Sequence, residues 1–77
     1  MSYRLVATYP GHDSDFDLKL EKLIRRECSG TGFNLMDGMR DVSWIFNKKD
    51  AALKASQTLR AHRRRGMSVK VWNDDRD

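Results

Sequence analysis

Residues 31–47, TGFNLMDGMRDVSWIFN, are the stretch on which the fold turns. Two strand-like runs, TGFNLM and RDVSWIFN, flank Asp37-Gly38, a dipeptide suited to a tight hairpin turn because glycine adopts positive φ freely. In the second run Val42, Trp44 and Phe46 alternate with Ser43 and Ile45. A repeat of two is the period of a strand, so three large apolar side chains share one face. The segment predicts two adjacent antiparallel strands, the second with a buried side.

Upstream, YRLVATY is rich in β-branched and aromatic residues and predicts a first strand over about Tyr3 to Tyr9, ended by Pro10 and Gly11. Its alternation leaves two choices for the outward face: Tyr3, Leu5, Ala7 and Tyr9, or Arg4, Val6 and Thr8. DSDFDLKLEKLIRREC then changes to a helical period, with Phe16, Leu20, Leu23 and Ile24 on one side. Asp13 or Ser14 can cap its start, Asp15 and Asp17 suit the positive end of the helix dipole, and Glu21 precedes Arg25 by four residues. Gly30 is the expected stop.

Downstream, NKKDAALKASQTLRAHRRRG predicts a second helix, with Asn47 as cap, Asp50 three residues later and Gly66 at its end. MSVKVWN predicts a last strand with Met67, Val69 and Val71 on one side and Ser68, Lys70 and Trp72 on the other. The order is strand, helix, strand, strand, helix, strand. Two split βαβ units with right-handed crossovers give an α+β, ferredoxin-like βαββαβ fold: a four-stranded antiparallel sheet with both helices on one face.

At 77 residues the chain has material for one small core, so residues 1–77 are expected to form a single domain. A hydrophobic fraction of 39%, a charged fraction of 34% and a single proline suit a folded domain better than a disordered tail. Cys28 is the only cysteine, so no intrachain disulfide can form. The first ten residues lack a signal-like apolar run, and no stretch approaches the roughly 20 apolar residues of a membrane span. A cytoplasmic protein that does not enter the membrane is the expectation.

The net charge of +4 is unevenly spread. Residues 1–46 carry six basic against seven acidic side chains, whereas residues 47–73 carry eight basic against Asp50 alone, a net of +7. The tail 74–77 returns −2. Stepping about 100° per residue from Leu59 as the inward direction puts Ala51, Ala52, Ala55 and His62 near the buried stripe of the second helix. Lys49, Lys54, Arg60, Arg64 and Arg65 then fall on the flanks or outward, with Arg63 nearer the stripe. From Ala51 to Asn73 there are six basic residues and no acidic one. This reads as a basic ridge able to contact phosphates or acidic side chains. The plainer reading is that cations gather where they complement the negative end of a helix.

Lys70 and Trp72 on the last strand extend the ridge onto the open side of the sheet. Tryptophan there can stack on a base or anchor a protein interface, or simply cover a neighbouring apolar patch. Leu53 and Leu18 point away from the buried stripes of their helices. RNA-recognition domains share this strand order but need aromatic side chains on the open faces of the first and third strands, the latter within a basic-Gly-aromatic motif. The third strand offers Ser43 and Ile45 outward, and that motif is missing, so shared topology alone carries no assignment.

Reaction chemistry is thin. CSGTGFNL holds Gly30 and Gly32, but it follows a helix and enters a strand, the reverse of a phosphate cradle. Cys28, His12 and His62 are spread too widely for a zinc pattern, and Cys28 near a helix C-terminus disfavours its thiolate. The aspartates of HDSDFD lack the glycine and final glutamate of a calcium loop. No metal, cofactor or enzymatic activity is expected. The expected function is a small non-enzymatic binding protein, of regulator or inhibitor type, docking an acidic protein or ribonucleoprotein partner. Lys54, Arg60, Arg64, Arg65 and Lys70 would contact the partner, with Leu53 and Trp72 as apolar anchors. The alternatives are direct, weakly selective RNA or DNA binding through the same ridge, and a homodimeric structural module.

Overall fold

The computed structural model of the protein describes residues 2–73. Its elements are β1 (Tyr3–Pro10), α1 (Ser14–Ile24), β2 (Gly30–Asn34), β3 (Met39–Phe46), α2 (Lys49–Ala61) and β4 (Ser68–Asn73). The four strands form one antiparallel sheet in the order β2-β3-β1-β4, so each βαβ crossover skips a strand position and the fold is the ferredoxin-like α+β arrangement. The acidic tail Asp74–Asp77 lies outside the described residues.

The register settles which face of β1 is covered. Leu5 lies opposite Trp44 and Val71, and Ala7 opposite Val42 and Val69. Leu5, Ala7, Tyr9, Val42 and Trp44 have no exposed surface, and Leu20 from α1 with Ala52 and Leu59 from α2 close over them. Arg4, Val6 and Thr8 therefore face the open side. The Trp44 indole N–H donates to the Arg26 carbonyl at 3.1 Å, so the largest core side chain buries no unpaired polar atom.

Local choices differ from the sequence reading in four places. The β2–β3 connection is a four-residue loop, 35–38, closed by Gly38 N–H to the Asn34 carbonyl at 2.8 Å; Gly38 supplies the positive φ of 68°. Helix α1 stops at Ile24 rather than near Gly30: Arg25 takes the left-handed conformation, φ 66°, and its N–H returns to the Glu21 carbonyl. The Glu21 carboxylate accepts the Cys28 amide at 2.9 Å, closing the turn that follows. Helix α2 starts after Lys48, which makes no side-chain capping bond, so Asn47 and Asp50 do not form a capping box.

The fourth difference bears on the site. Helix α2 ends at Ala61, not at Gly66, and Arg63, Arg64 and Arg65 belong to the connection into β4. Its buried stripe is Ala52, Ser56 and Leu59, whereas Ala51 and His62 are exposed. Ser56 is tolerated there because its hydroxyl donates to the Leu53 carbonyl at 2.7 Å, one turn back. Gly66 keeps a role as the turn residue: its φ is 80°, and an added Cβ would lie 2.9 Å from the Pro10 ring.

Candidate functional site

The residues expected to form one ridge are distributed over three places. Lys54 and Leu53 sit in the middle of α2, both exposed. Arg60, at the end of α2, reaches under to donate to the Val69 carbonyl at 3.2 Å. Arg64 lies across the start of α1: its guanidinium carbon is 4.3 Å from the Phe16 ring centre and 5.6 Å from that of Tyr9, and it pairs with Asp13 at 3.4 Å. Arg65 is exposed in the turn before β4, and Lys70 and Trp72 are exposed on β4. Helix periodicity could not foresee this for Arg63, Arg64 and Arg65, because the helix ends at Ala61. Two of the five cations, Arg60 and Arg64, are engaged inside the fold.

Arg64 joins a polar cluster at one end of the sheet. Asp13 caps α1 by accepting the Phe16 amide at 3.1 Å, and this bond, with Arg64 alongside, holds its carboxyl below the ordinary value of 3.8. The Tyr9 hydroxyl donates to Asp17, whose other oxygen takes Nε and Nη2 of Arg40 at 3.1 and 2.8 Å. Burial first, and the Asp17 bond second, push the Tyr9 hydroxyl above its ordinary 10.0. These groups answer one another across β1, α1 and β3. They tie the first helix to the sheet.

The helix layer presents a groove that the sequence did not flag. Ala51, Lys54, Ala55 and Thr58, one stripe of α2 at helical spacing, face Leu23, Ile24 and Arg25 at the end of α1, over Phe46. The space between them is about 500 Å3. Its floor is apolar, its two charged lining residues are both cations, and the Arg26 guanidinium stacks at 4.8 Å over the Phe46 ring. Arg25 is the single non-glycine residue with positive φ among the described residues. A left-handed conformation costs an ordinary side chain roughly 1 kcal/mol that glycine would not incur. The strained position at the groove's rim is thus occupied by a long cation.

The open face of the sheet carries a second concavity of about 360 Å3, bordered by Arg4 and Trp72 at one end and by Asp41 towards the other. One further feature escaped the sequence reading. Leu35 and Met36 are 87% and 94% exposed at the tip of the β2–β3 loop, and Phe33 beside them is also exposed. Neither Leu18 nor Leu53, both exposed, lines the helix groove.

Among the described residues no three His, Cys, Asp or Glu side chains are grouped to hold a metal ion, and no helix is long and apolar enough to cross a membrane. Cys28 is half-buried, and burial together with the Glu21 carboxylate pushes its thiol above the ordinary 9.0. Compared with protein-family models, with curated proteins and with solved structures, the chain matches none.

Proposed function

We propose that this chain is a non-enzymatic cytoplasmic binding protein, of regulator or inhibitor type, that acts by occupancy: it docks an acidic protein segment on its helix layer. The observation that carries the reading is Arg25. Its left-handed backbone closes the end of α1, a task glycine performs with less strain, so the choice of arginine there calls for a reason in its side chain. Here it adds a cation to an apolar groove already rimmed by Lys54. An amphipathic helix carrying Leu or Ile on one face and Glu or Asp beside it would complement both the floor and the rim. Arg60 and Arg64 serve it indirectly, by fixing the end of α2 and the start of α1.

The test is anisotropy of a labelled acidic amphipathic peptide of about 15–20 residues, Leu on one face and Glu on the other, against the same peptide with Lys for Glu. Micromolar binding of the acidic peptide only, weakened tenfold or more by Lys54→Glu with Arg25→Glu, is the expected result. Equal binding of both peptides, or indifference to those substitutions, removes the groove as the docking site.

A second reading, pairing with another copy of the chain, is favoured by the β2 edge. Residues 28–36 contain no charged side chain, and strand edges are usually protected by charge, proline or a bulge. Sedimentation of the protein and of a Thr31→Lys variant tests it: a dimer that the lysine disperses supports the pairing, and a monomer at every concentration rejects it.

A further inference from the structure

We infer that the open face of the sheet is a separate binding site, for single-stranded nucleic acid, with one base stacked on Trp72 and the adjoining phosphate met by Lys70. The inference does not depend on the groove between the helices, which lies on the other side of the sheet.

The argument starts from the register. Side chains directly opposite one another in antiparallel strands share a face. One row across the open face reads Lys70, Val6, Ser43, Gly30, and the next reads Ser68, Thr8, Asp41, Gly32. Arg4 stands opposite Trp72 at the end of β4. Cations and the aromatic ring are therefore gathered on the β1–β4 half, and β2 itself has no side chain on this face at two successive positions, Gly30 and Gly32. The result is a shallow trough floored by glycine backbone and Val6, with Trp72 as its wall.

The two glycines are not required by the backbone. Neither has positive φ, and a Cβ at Gly32 would meet nothing within 4 Å, while one at Gly30 would make an ordinary 3.4 Å contact with the Ser43 hydroxyl. A side chain at Gly32 would improve strand propensity and fit the fold. Glycine inside a strand commonly marks close approach by a ligand or another chain. What the glycines create is space, and about 360 Å3 lies within the range of small-ligand pockets.

The shape and chemistry favour a nucleotide strand. Trp72 is 45% exposed, so its indole can be reached from solvent by a stacking base. Lys70 follows on the same side of β4, two residues away, placing a positive charge beside the stacked ring. The Ser43 hydroxyl, and Asp41, which accepts from Thr8 at 3.0 Å, provide hydrogen-bonding groups where base edges would lie. A protein partner would need a broader apolar surface than Val6, Ile45 and Trp72 provide. Duplex DNA, stiff and with its bases stacked inside, could not offer a ring to Trp72.

The experiment uses a fluorescein-labelled mixed-sequence RNA strand about ten nucleotides long, the same strand as a duplex, and AMP, from roughly 50 to 300 mM salt. The full chain should bind the single strand in the micromolar range and quench tryptophan fluorescence, with a shallow log–log salt slope of about −0.7, the signature of one phosphate. Trp72→Ala should lower affinity tenfold or more, Trp72→Phe less, and Gly32→Leu should block binding by filling the trough. Circular dichroism and thermal melting of the three variants confirm that each is folded. Lys54→Glu, which addresses the other face, should leave RNA affinity unchanged, so the two surfaces succeed or fail separately. Three results overturn the proposal: a duplex bound as tightly as the strand with a steep slope, AMP bound as tightly as the strand, or affinity unmoved in folded Trp72→Ala and Gly32→Leu proteins.

Discussion

The two tryptophans lie on opposite faces of one sheet, and they do different work. Trp44 has no exposed surface, stands opposite Leu5 and donates its N–H to a backbone carbonyl. Trp72, on the edge strand β4, lies nearly half in solvent opposite Arg4. Both occupy strands of alternating pattern, so alternation alone assigns sides but does not say which side is covered. The covered side carries stability, and the uncovered side is left to solvent.

The largest expected effect comes from exchanging the roles of these two residues. Trp44→Ala should cost about 3–5 kcal/mol, much of the stability a small domain has, and should leave a protein largely unfolded by urea titration. Trp72→Ala should change the midpoint by less than about 0.5 kcal/mol. Equal losses would mean that the face bearing Trp72 is not an open one.

Next in size is the link between the covered face and α1. Asp17→Ala leaves the Arg40 guanidinium and the Tyr9 hydroxyl, both in sheet strands, without their shared carboxylate. A loss of roughly 1–3 kcal/mol in thermal or chemical denaturation is expected.

Backbone conformation offers a pair of opposite sign. Gly66→Ala forces a side chain into φ 80° and against the Pro10 ring, and should destabilise by about 1–2 kcal/mol. Arg25→Gly relieves φ 66° and should stabilise by roughly 0.5–1 kcal/mol while weakening the acidic peptide. A stabilised protein that binds less well would separate the folding role of position 25 from its role at the groove.

The smallest effects concern protons. Asp13 is held below its ordinary 3.8, so its contribution to stability is present above that value and is lost as pH falls through the lower, folded value. Tyr9 and Cys28 are raised above 10.0 and 9.0, so theirs is present below those values and lost as pH rises through the folded ones. Melting temperature should form a plateau between these limits. The Cys28 thiol should react with iodoacetamide more slowly at pH 8 than an unstructured cysteine, and unfolding in urea should remove the difference.

Much of this molecule was legible in the chain itself. The alternation of Val42, Trp44 and Phe46 and the period of Phe16, Leu20, Leu23 and Ile24 are local patterns from which strand and helix were read; of the two candidate caps of α1 the structure uses Asp13, and the Asn47 cap of α2 was misread. The ends of both helices were misread because helices stop where tertiary contacts outbid propensity. Arg25 turns left-handed to bring Cys28 and β2 alongside β3, and the chain leaves α2 at Ala61 so that Arg64 can lie on Phe16 and Tyr9, far away in sequence.

The candidate sites divide along the same line. Sequence alone determined the element order, the fold, the concentration of positive charge in residues 47–73 and the outward side of β4, since these depend on composition and on periods of two or 3.6 residues. Only the tertiary structure decided which face of β1 is covered, which cations are engaged within the fold, and where concave surfaces arise. The groove joins residues of α1, β3 and α2, and the trough joins residues of all four strands. Such surfaces are products of register and packing between distant segments, and no local pattern in the chain encodes them.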